Sequence, residues 1–276
     1  IYSLANGEAM APTPAAPVAA PAPIAPVVQA AAPAPAPVVK PAAKVEREID
    51  IHIGPVDNLA QADGVAELFR DIPGLLLICP SNGADAALLL RQAVELAYRD
   101  NRLIVFLEPI ALYMTRDLHA PGDNGWTFEL PAPDAALPEF GTPAVVEADD
   151  SGITDLVIVS YANGFYLSRQ AQQQLAAQGI RARVLDIRYL VPLHADKIAA
   201  AIGDCRKVLI VDECRKRGSL SEELFTALHE LQPNRYHISR LCAEDSFIPL
   251  GAAAYHVLPS KGAIVEAALM LHGAEK

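Results

Sequence analysis

The chain has 276 residues, 52% of them hydrophobic and 20% charged, with a formal net charge of −11. A length near twice that of an ordinary domain predicts about two domains, and so apolar a composition excludes disorder throughout. The acidic balance offers no footprint for DNA or RNA, so no nucleic-acid partner is expected, and no apolar run outside the proline-rich stretch approaches the roughly 18 residues of a membrane span.

Residues 1–10 (IYSLANGEAM) are too few to define an element. Residues 11–44 hold 10 of the 23 prolines and 14 alanines, and Lys40 is the first charge among them. Proline donates no backbone hydrogen bond, so alternating Ala-Pro predicts a disordered, polyproline-II-like tether over residues 1–48. At about 3.1 Å per residue it would reach on the order of 100 Å, as a swinging arm or as an inert spacer.

The pattern changes after residue 48. Gly74 to Cys79 (GLLLIC) reads as a buried strand stopped by Pro80-Ser81. Ala84 to Tyr98 reads as a helix with Ala87, Leu90, Val94 and Ala97 on one face. Leu103 to Glu108 (LIVFLE) is a second apolar run. Residues 115–145 are rich in Pro, Gly and Asp and predict irregular structure, including a short linker from Pro131 to Pro143. From Asp155 the alternation is regular: strands at Asp155–Ala162, Ala182–Ile187, Lys207–Glu213 and Tyr236–Cys242, and helices at Phe165–Gln178, Ala195–Ile202, Ser219–Leu231 and Gly262–Leu271. Gly179 is a left-handed cap, and Ser219 with Glu222 is a capping box. The fold class expected is therefore α/β, with mainly parallel sheets covered by helices on both faces.

Cys79, Cys205, Cys214 and Cys242 form no CxxC pair and have no histidine at metal-finger spacing. They read as small buried hydrophobes in a reducing cytosol. The chain has no basic-then-apolar leader and opens on Ile1, which suggests a cytoplasmic protein of which this is a processed form or a piece. Neither GxxxxGK followed by Ser or Thr, nor GxGxxG, GxSxG or HExxH occurs, so the common phosphate loops, the nucleophile elbow and the zincin site are all missing.

A longer pattern carries more. The stretch DIPGLLLICPSNGADAALLLRQAVELAYRDNRLIVFLEPIALY (Asp71 to Tyr113) resembles the pyrimidine-binding domain of the beta subunit of the first component of 2-oxoacid dehydrogenase complexes. The pieces DLVIVSYANG, LAAQGIRARVLDIRYLVPLHADKI, KVLIVDE and IPLGAAAYHVLPSKGAIVEAA resemble the same family's transketolase C-terminal domain. Transketolases and deoxyxylulose-phosphate synthases share that second domain, and LEPIALY tilts the choice toward the dehydrogenases. The implied organisation is a tether (1–48), a partial pyrimidine-binding domain (49–145) and a transketolase C-terminal domain (150–276). The implied chemistry is thiamine diphosphate-dependent oxidative decarboxylation of a 2-oxoacid and acyl transfer to lipoyl. An alpha-type chain would carry the diphosphate and magnesium, an acyltransferase component would dock, and the second domain would form a homodimer.

The resemblance also points to residues. The family's activating glutamate has no counterpart here. Where it places an active-site histidine, this chain has Leu59, Ala60 and Gln61. Gln61 can orient a group through a hydrogen bond and cannot shuttle a proton; Asp63 stands at a matching polar place. Ala97, Tyr98 and Asp100 match the loop where the family holds potassium through main-chain carbonyls. Asp186 and Arg188 lie at a strand end and read as an anion contact or as a local ion pair before Pro192. Asp212 and Glu213 are adjacent in a strand and point to opposite faces, so they make no dyad. Arg116 to Trp126 (RDLHAPGDNGW) reads as a solvated loop or as a metal or substrate loop, and Arg215, Lys216 and Arg217 as a solvated face or a partner surface. Two functions follow as expectations: a beta-like portion of the dehydrogenase that is inactive alone, or a non-catalytic docking or dimerisation module on a flexible arm.

Overall fold

The computed structural model describes residues 69–70, 72–249 and 251–274. The Ala/Pro segment, Gln61 and Asp63 lie outside them. The described elements are, in order, β1 (Leu76–Ile78), α1 (Gly83–Asp100), β2 (Ile104–Phe106), α2 (Ile110–Tyr113), β3 (Ala144–Val146), β4 (Leu156–Ser160), α3 (Ala162–Ala176), β5 (Ala182–Asp186), β6 (Tyr189–Val191), α4 (Ala195–Ile202), β7 (Lys207–Arg215), α5 (Leu220–Leu231), β8 (His237–Ala243), a 3₁₀ turn (Gly251–His256) and α6 (Lys261–Gly273).

Two sheets form. The larger has the order β3-β5-β4-β7-β8. Its four long strands run parallel and β3 joins antiparallel at one edge. The smaller has the order β2-β1-β6, with β1 parallel to β2 and antiparallel to β6. The mainly parallel α/β class is thus observed.

The larger sheet is buried on both faces because its strands are apolar throughout, which parallel strands between helices require. Alternate residues divide between two cores. Val157, Val159, Leu185, Val208 and Ile210 meet Ile198 and Ile202 of α4 and Leu220, Leu224 and Leu228 of α5. Leu156, Ile158, Val184, Leu209 and Val211 meet Phe165, Ala171 and Leu175 of α3 and Ile264, Val265 and Ala268 of α6. Each fully buried Leu or Ile contributes about 1.5–3 kcal/mol. Leu75, Leu77, Cys79 and Leu107 share the first of these cores. The other face of the small sheet, at Ile78 and Tyr189, rests on Leu89 and Ala93 of α1.

Three expectations need correction. Pro131–Pro143 is a strap rather than a linker. Arg91 donates to the carbonyls of Pro131, Ala132 and Pro133 at 2.8, 2.7 and 3.3 Å, and Gln92 Nε2 to that of Pro138 at 2.6 Å. Lys197 Nζ donates to the carbonyl of Phe140 at 2.5 Å, and Arg188 Nη2 to that of Thr142 at 3.0 Å. Irregular backbone gains its bonds here from side chains of neighbouring helices and a neighbouring strand end. The capping box at Ser219 does not close, because Glu222 reaches the amide one residue before the cap and the cap's own side chain turns elsewhere. Glu222 Oε2 accepts from the Gly218 amide at 2.5 Å, but the Ser219 hydroxyl turns to Ser221 at 2.8 Å. Finally, β3 and β6 are strands that the sequence pattern does not signal. Gly179, at φ +78°, does end α3 as expected. All four cysteines are free; Cys79 and Cys214 are buried, Cys205 and Cys242 partly so.

Candidate functional site

The C-terminal ends of β1, β4 and β5 meet at one side chain. Ser81, just past β1, donates from Oγ to Asp186 Oδ1 at 2.8 Å and accepts from the Ala162 amide at 2.7 Å. Ala162 opens α3 with φ +49°, a left-handed conformation that costs a non-glycine residue about 1 kcal/mol or more. The hydrogen bond from its amide to Ser81 helps to hold it. Asp186 is completely buried, and burial pushes its carboxyl well above the usual carboxylate range; Asp186 Oδ2 has no hydrogen-bond partner in the structure.

The local ion pair expected between Asp186 and Arg188 does not form. Arg188 does not pair with Asp186 but reaches across to α1, donating from Nη1 to Asp85 Oδ1 at 2.9 Å. The chain leaves β5 at Asp186 and turns into β6 at Tyr189, and Arg188 in this connection takes a partner 103 positions away. Asp85 also accepts from Asn82 Nδ2 at 3.0 Å, while Asn82 Oδ1 caps α1 by accepting the Asp85 amide at 2.9 Å. Tyr189 completes this layer with a hydrogen bond to Gln92 Oε1; burial raises its phenol to about 12.

Asp212 and Glu213 face opposite ways, as period-two geometry requires. Asp212 accepts from the Tyr161 hydroxyl at 2.9 Å, the Cys214 amide at 3.0 Å and the Ser221 amide at 2.9 Å, which ties β7 to the start of α5. Glu213 accepts from Asn163 Nδ2 at 2.6 Å. Burial, with the Asp212 charge beside it, lifts the Glu213 carboxyl to about 7.

The loop at 116–126 lies largely exposed, as a solvated loop should, and is ordered by its own carboxylates. Asp123 accepts the amides of Leu118, His119, Ala120 and Gly125 at 2.7–2.9 Å, and these bonds hold its carboxyl far below the usual range. Asp117 accepts those of Gly122 and Asn124. Helix α3 ties the loop down from outside: the Tyr166 hydroxyl donates to the Asp117 carbonyl at 2.8 Å, and Gln170 Nε2 to that of Leu118 at 2.6 Å. The loop thereby fixes Trp126 against Phe165, Tyr166 and Phe128. Beneath Trp126 and Phe128, the turns after β1 and β2 enclose a crevice of about 260 Å³ lined by Ser81, Asn82, Glu108, Leu112, Tyr113 and others. Open parallel sheets place ligands outside their strand ends in this manner.

Of the residues singled out for potassium, Ala97 is buried on α1, Tyr98 is 68% exposed, and Asp100 is held in a two-point pair by Arg99 at 3.0 Å. Asn101 ends that helix in left-handed geometry. Among the described residues no three His, Cys, Asp or Glu side chains come together so as to hold a metal ion, and no helix is long and apolar enough to cross a membrane. Sequence reasoning passed over Ser81, Asp85 and Asn163. Their types, Ser, Asp and Asn at strand-to-helix turns, were a readable signal for capping, but their partners lie far off in sequence.

The transketolase C-terminal domain family matches residues 146–262, and those residues carry β4 through β8 and helices α3, α4 and α5. Over those residues the chain is similar to that family. Its relatives narrow the class. The chain is 28% identical over 209 residues to the pyruvate dehydrogenase E1 component subunit beta of Bacillus subtilis (strain 168), covering 75% of this chain and 58% of that protein. It is 31% identical over 172 residues to the 2-oxoisovalerate dehydrogenase subunit beta of the same organism, covering 62% and 47%. To the acetoin:2,6-dichlorophenolindophenol oxidoreductase subunit beta of Cupriavidus necator it is 31% identical over 157 residues, covering 57% and 40%. The chain is thus similar to these beta subunits and spans just over half the length of the first. A split gene transketolase, described as an inactive beta4 tetramer, shares the fold with a TM-score of 0.58 at 19% identity, covering 78% of this chain and 63% of that one.

Proposed function

We propose that this chain is the beta-like portion of a thiamine diphosphate-dependent 2-oxoacid dehydrogenase and is inactive alone. In this reading it takes part in oxidative decarboxylation of a 2-oxoacid and acyl transfer to lipoyl. The observation that supports it is the 209-residue similarity to a pyruvate dehydrogenase beta subunit. Residues 49–145 then form a partial pyrimidine-binding domain and 150–276 the transketolase C-terminal domain, in a cytoplasmic assembly.

The described residues do not suit the diphosphate end of the cofactor. They present no acidic cluster for magnesium, so an alpha-type partner chain would supply that site. The chain's own contribution in this reading is a rigid platform. Ser81 and Asp186 lock the two sheets together, and the second half offers the surface for homodimerisation and for the acyltransferase. Gln61 orients a group near the reaction without moving a proton, Asp63 assists it, and the carbonyls of Ala97, Tyr98 and Asp100 hold potassium. A transketolase or deoxyxylulose-phosphate synthase fragment is the more distant reading.

The test is reconstitution. Full-length chain is mixed with a candidate alpha-type chain, thiamine diphosphate and magnesium, and 2-oxoacid-dependent dye reduction is followed. Activity only in the mixture supports the proposal. A complex that forms and binds no thiamine diphosphate by calorimetry refutes it, and leaves the docking module.

A further inference from the structure

The crevice above β1 and β2 has a chemistry that the proposed function does not use. Its walls are the two successive strand-to-helix turns, Pro80 to Gly83 and Glu108-Pro109, with Leu112 and Tyr113 of α2 on one side. Its roof is Trp126, almost fully buried, and Phe128, 44% exposed and edge-on to Trp126 with ring centroids 5.4 Å apart. Among the twelve lining residues Glu108 is the one with an acidic side chain. No arginine, lysine or histidine lines the crevice, and among the described residues Glu108 forms no ion pair. Its carboxylate accepts from the Tyr113 hydroxyl, and burial together with that carboxylate pushes the phenol up to about 12. The hydroxyl therefore stays protonated and steers the carboxylate without cancelling its charge.

The helix α1 also ends its N-terminus here, and a helix N-terminus favours anions. That preference is already satisfied. The Asn82 side chain caps the helix, and Asp85 stands in its first turn. An anion entering the crevice would find no cationic side chain and would meet Glu108. A cation would find a carboxylate outside any ion pair among the described residues, and aromatic side chains lining the same crevice, a combination that recognises ammonium groups.

We propose that this crevice binds a small organic cation, with an ammonium head at Glu108 and an apolar body against Leu112, Trp126 and Phe128. The loop at 116–126, locked by Asp117 and Asp123, is what holds the aromatic roof in place. The site stands apart from the dehydrogenase reading, and its test reads binding rather than turnover, so either can fail alone.

Trp126 is the single tryptophan in the chain, which makes it a built-in reporter. The full chain is titrated with benzyltrimethylammonium, and in parallel with benzyl alcohol and benzoate, while Trp fluorescence and calorimetric heat are followed. The cation is expected to saturate with a Kd of about 1 mM or below, and the alcohol and benzoate to bind at least roughly tenfold more weakly. E108Q should remove the preference for the cation over the alcohol while leaving the alcohol's own binding unchanged. F128A should weaken cation and alcohol alike. Thermal unfolding of both variants confirms that each is folded. Equal affinity for cation and alcohol in the unmodified chain, no saturation by the cation, or an E108Q variant that keeps its preference overturns the proposal.

Discussion

Replacing Glu213 with Gln tests the electrostatics of the larger sheet. In the fold, burial raises the Glu213 carboxyl from the ordinary value near 4.5 to about 7. The folded chain therefore keeps a proton that the unfolded chain releases over that interval. Stability falls as pH rises through it and is level again above it. A displacement of between two and three pH units is worth about 3 kcal/mol at 1.36 kcal/mol each. The variant cannot ionise, and its amide oxygen can still accept from Asn163 Nδ2, which lies 2.6 Å from Glu213 Oε1. Below pH 4.5 the two proteins should unfold at nearly the same temperature. By pH 8 E213Q should be the more stable by up to about 3 kcal/mol, a rise in Tm of roughly 5–10 °C for a body of this size. The assay is thermal unfolding by circular dichroism at half-unit steps from pH 4 to pH 8.5. A gap between the proteins that stays constant across that range would refute the claim that the fold disfavours the Glu213 carboxylate.

Three further outcomes are expected. Ser81→Ala should cost about 2–4 kcal/mol in urea unfolding, because the Ala162 amide and Asp186 Oδ1 both lose a buried partner; a loss below 1 kcal/mol would show that the two sheets are not tied at this point. In Gly164→Ala the new Cβ would lie 2.4 Å from Ser160 Oγ, which itself donates to the Val211 carbonyl at 2.8 Å, so a destabilisation of about 2–3 kcal/mol is predicted. Adding Ser160→Ala should return part of that loss, and a strictly additive double mutant would refute the clash. Asp123→Ala should remove hydrogen-exchange protection from the amides of Leu118, His119, Ala120 and Gly125 while strands β4, β5 and β7 keep theirs, and a loop that stays protected would mean that α3 alone holds it.

The elements after Asp155 were legible because each strand is a short, continuous apolar run and each helix carries one apolar stripe. Helix α4 falls at Ala195–Ile202, where the pattern put it, and β4, β5 and β8 lie within one or two residues of their expected bounds. The short strands were not legible. Tyr189–Val191 lies between Arg188 and Pro192 and reads as a turn, and its pairing with β1 depends on a partner in the other half of the chain. The same physics hid the site. Ser81 and Asp186, or Asp85 and Arg188, are neighbours only after the sheets have assembled, and no local periodicity announces them. The loop at 116–126 was half legible. Asp and Gly at close spacing signal side-chain-to-backbone turns, but the two bonds from α3 that anchor it follow from tertiary packing alone. Gln61 and Asp63 rest on resemblance, and the described residues do not reach them.

The pairing of β6 with β1 carries a consequence for biosynthesis. Leu77 faces Val191 and Ile78 faces Tyr189, so the small sheet closes only after the ribosome has delivered the chain through Val191. Until then the edge of β1 that β6 will occupy is an open template for any passing strand, and domains that normally fold as they emerge have no such grace period here. A nascent or truncated product ending before Tyr189 is therefore not a free-standing first half but an adhesive one, dependent on holding chaperones and prone to join its neighbours.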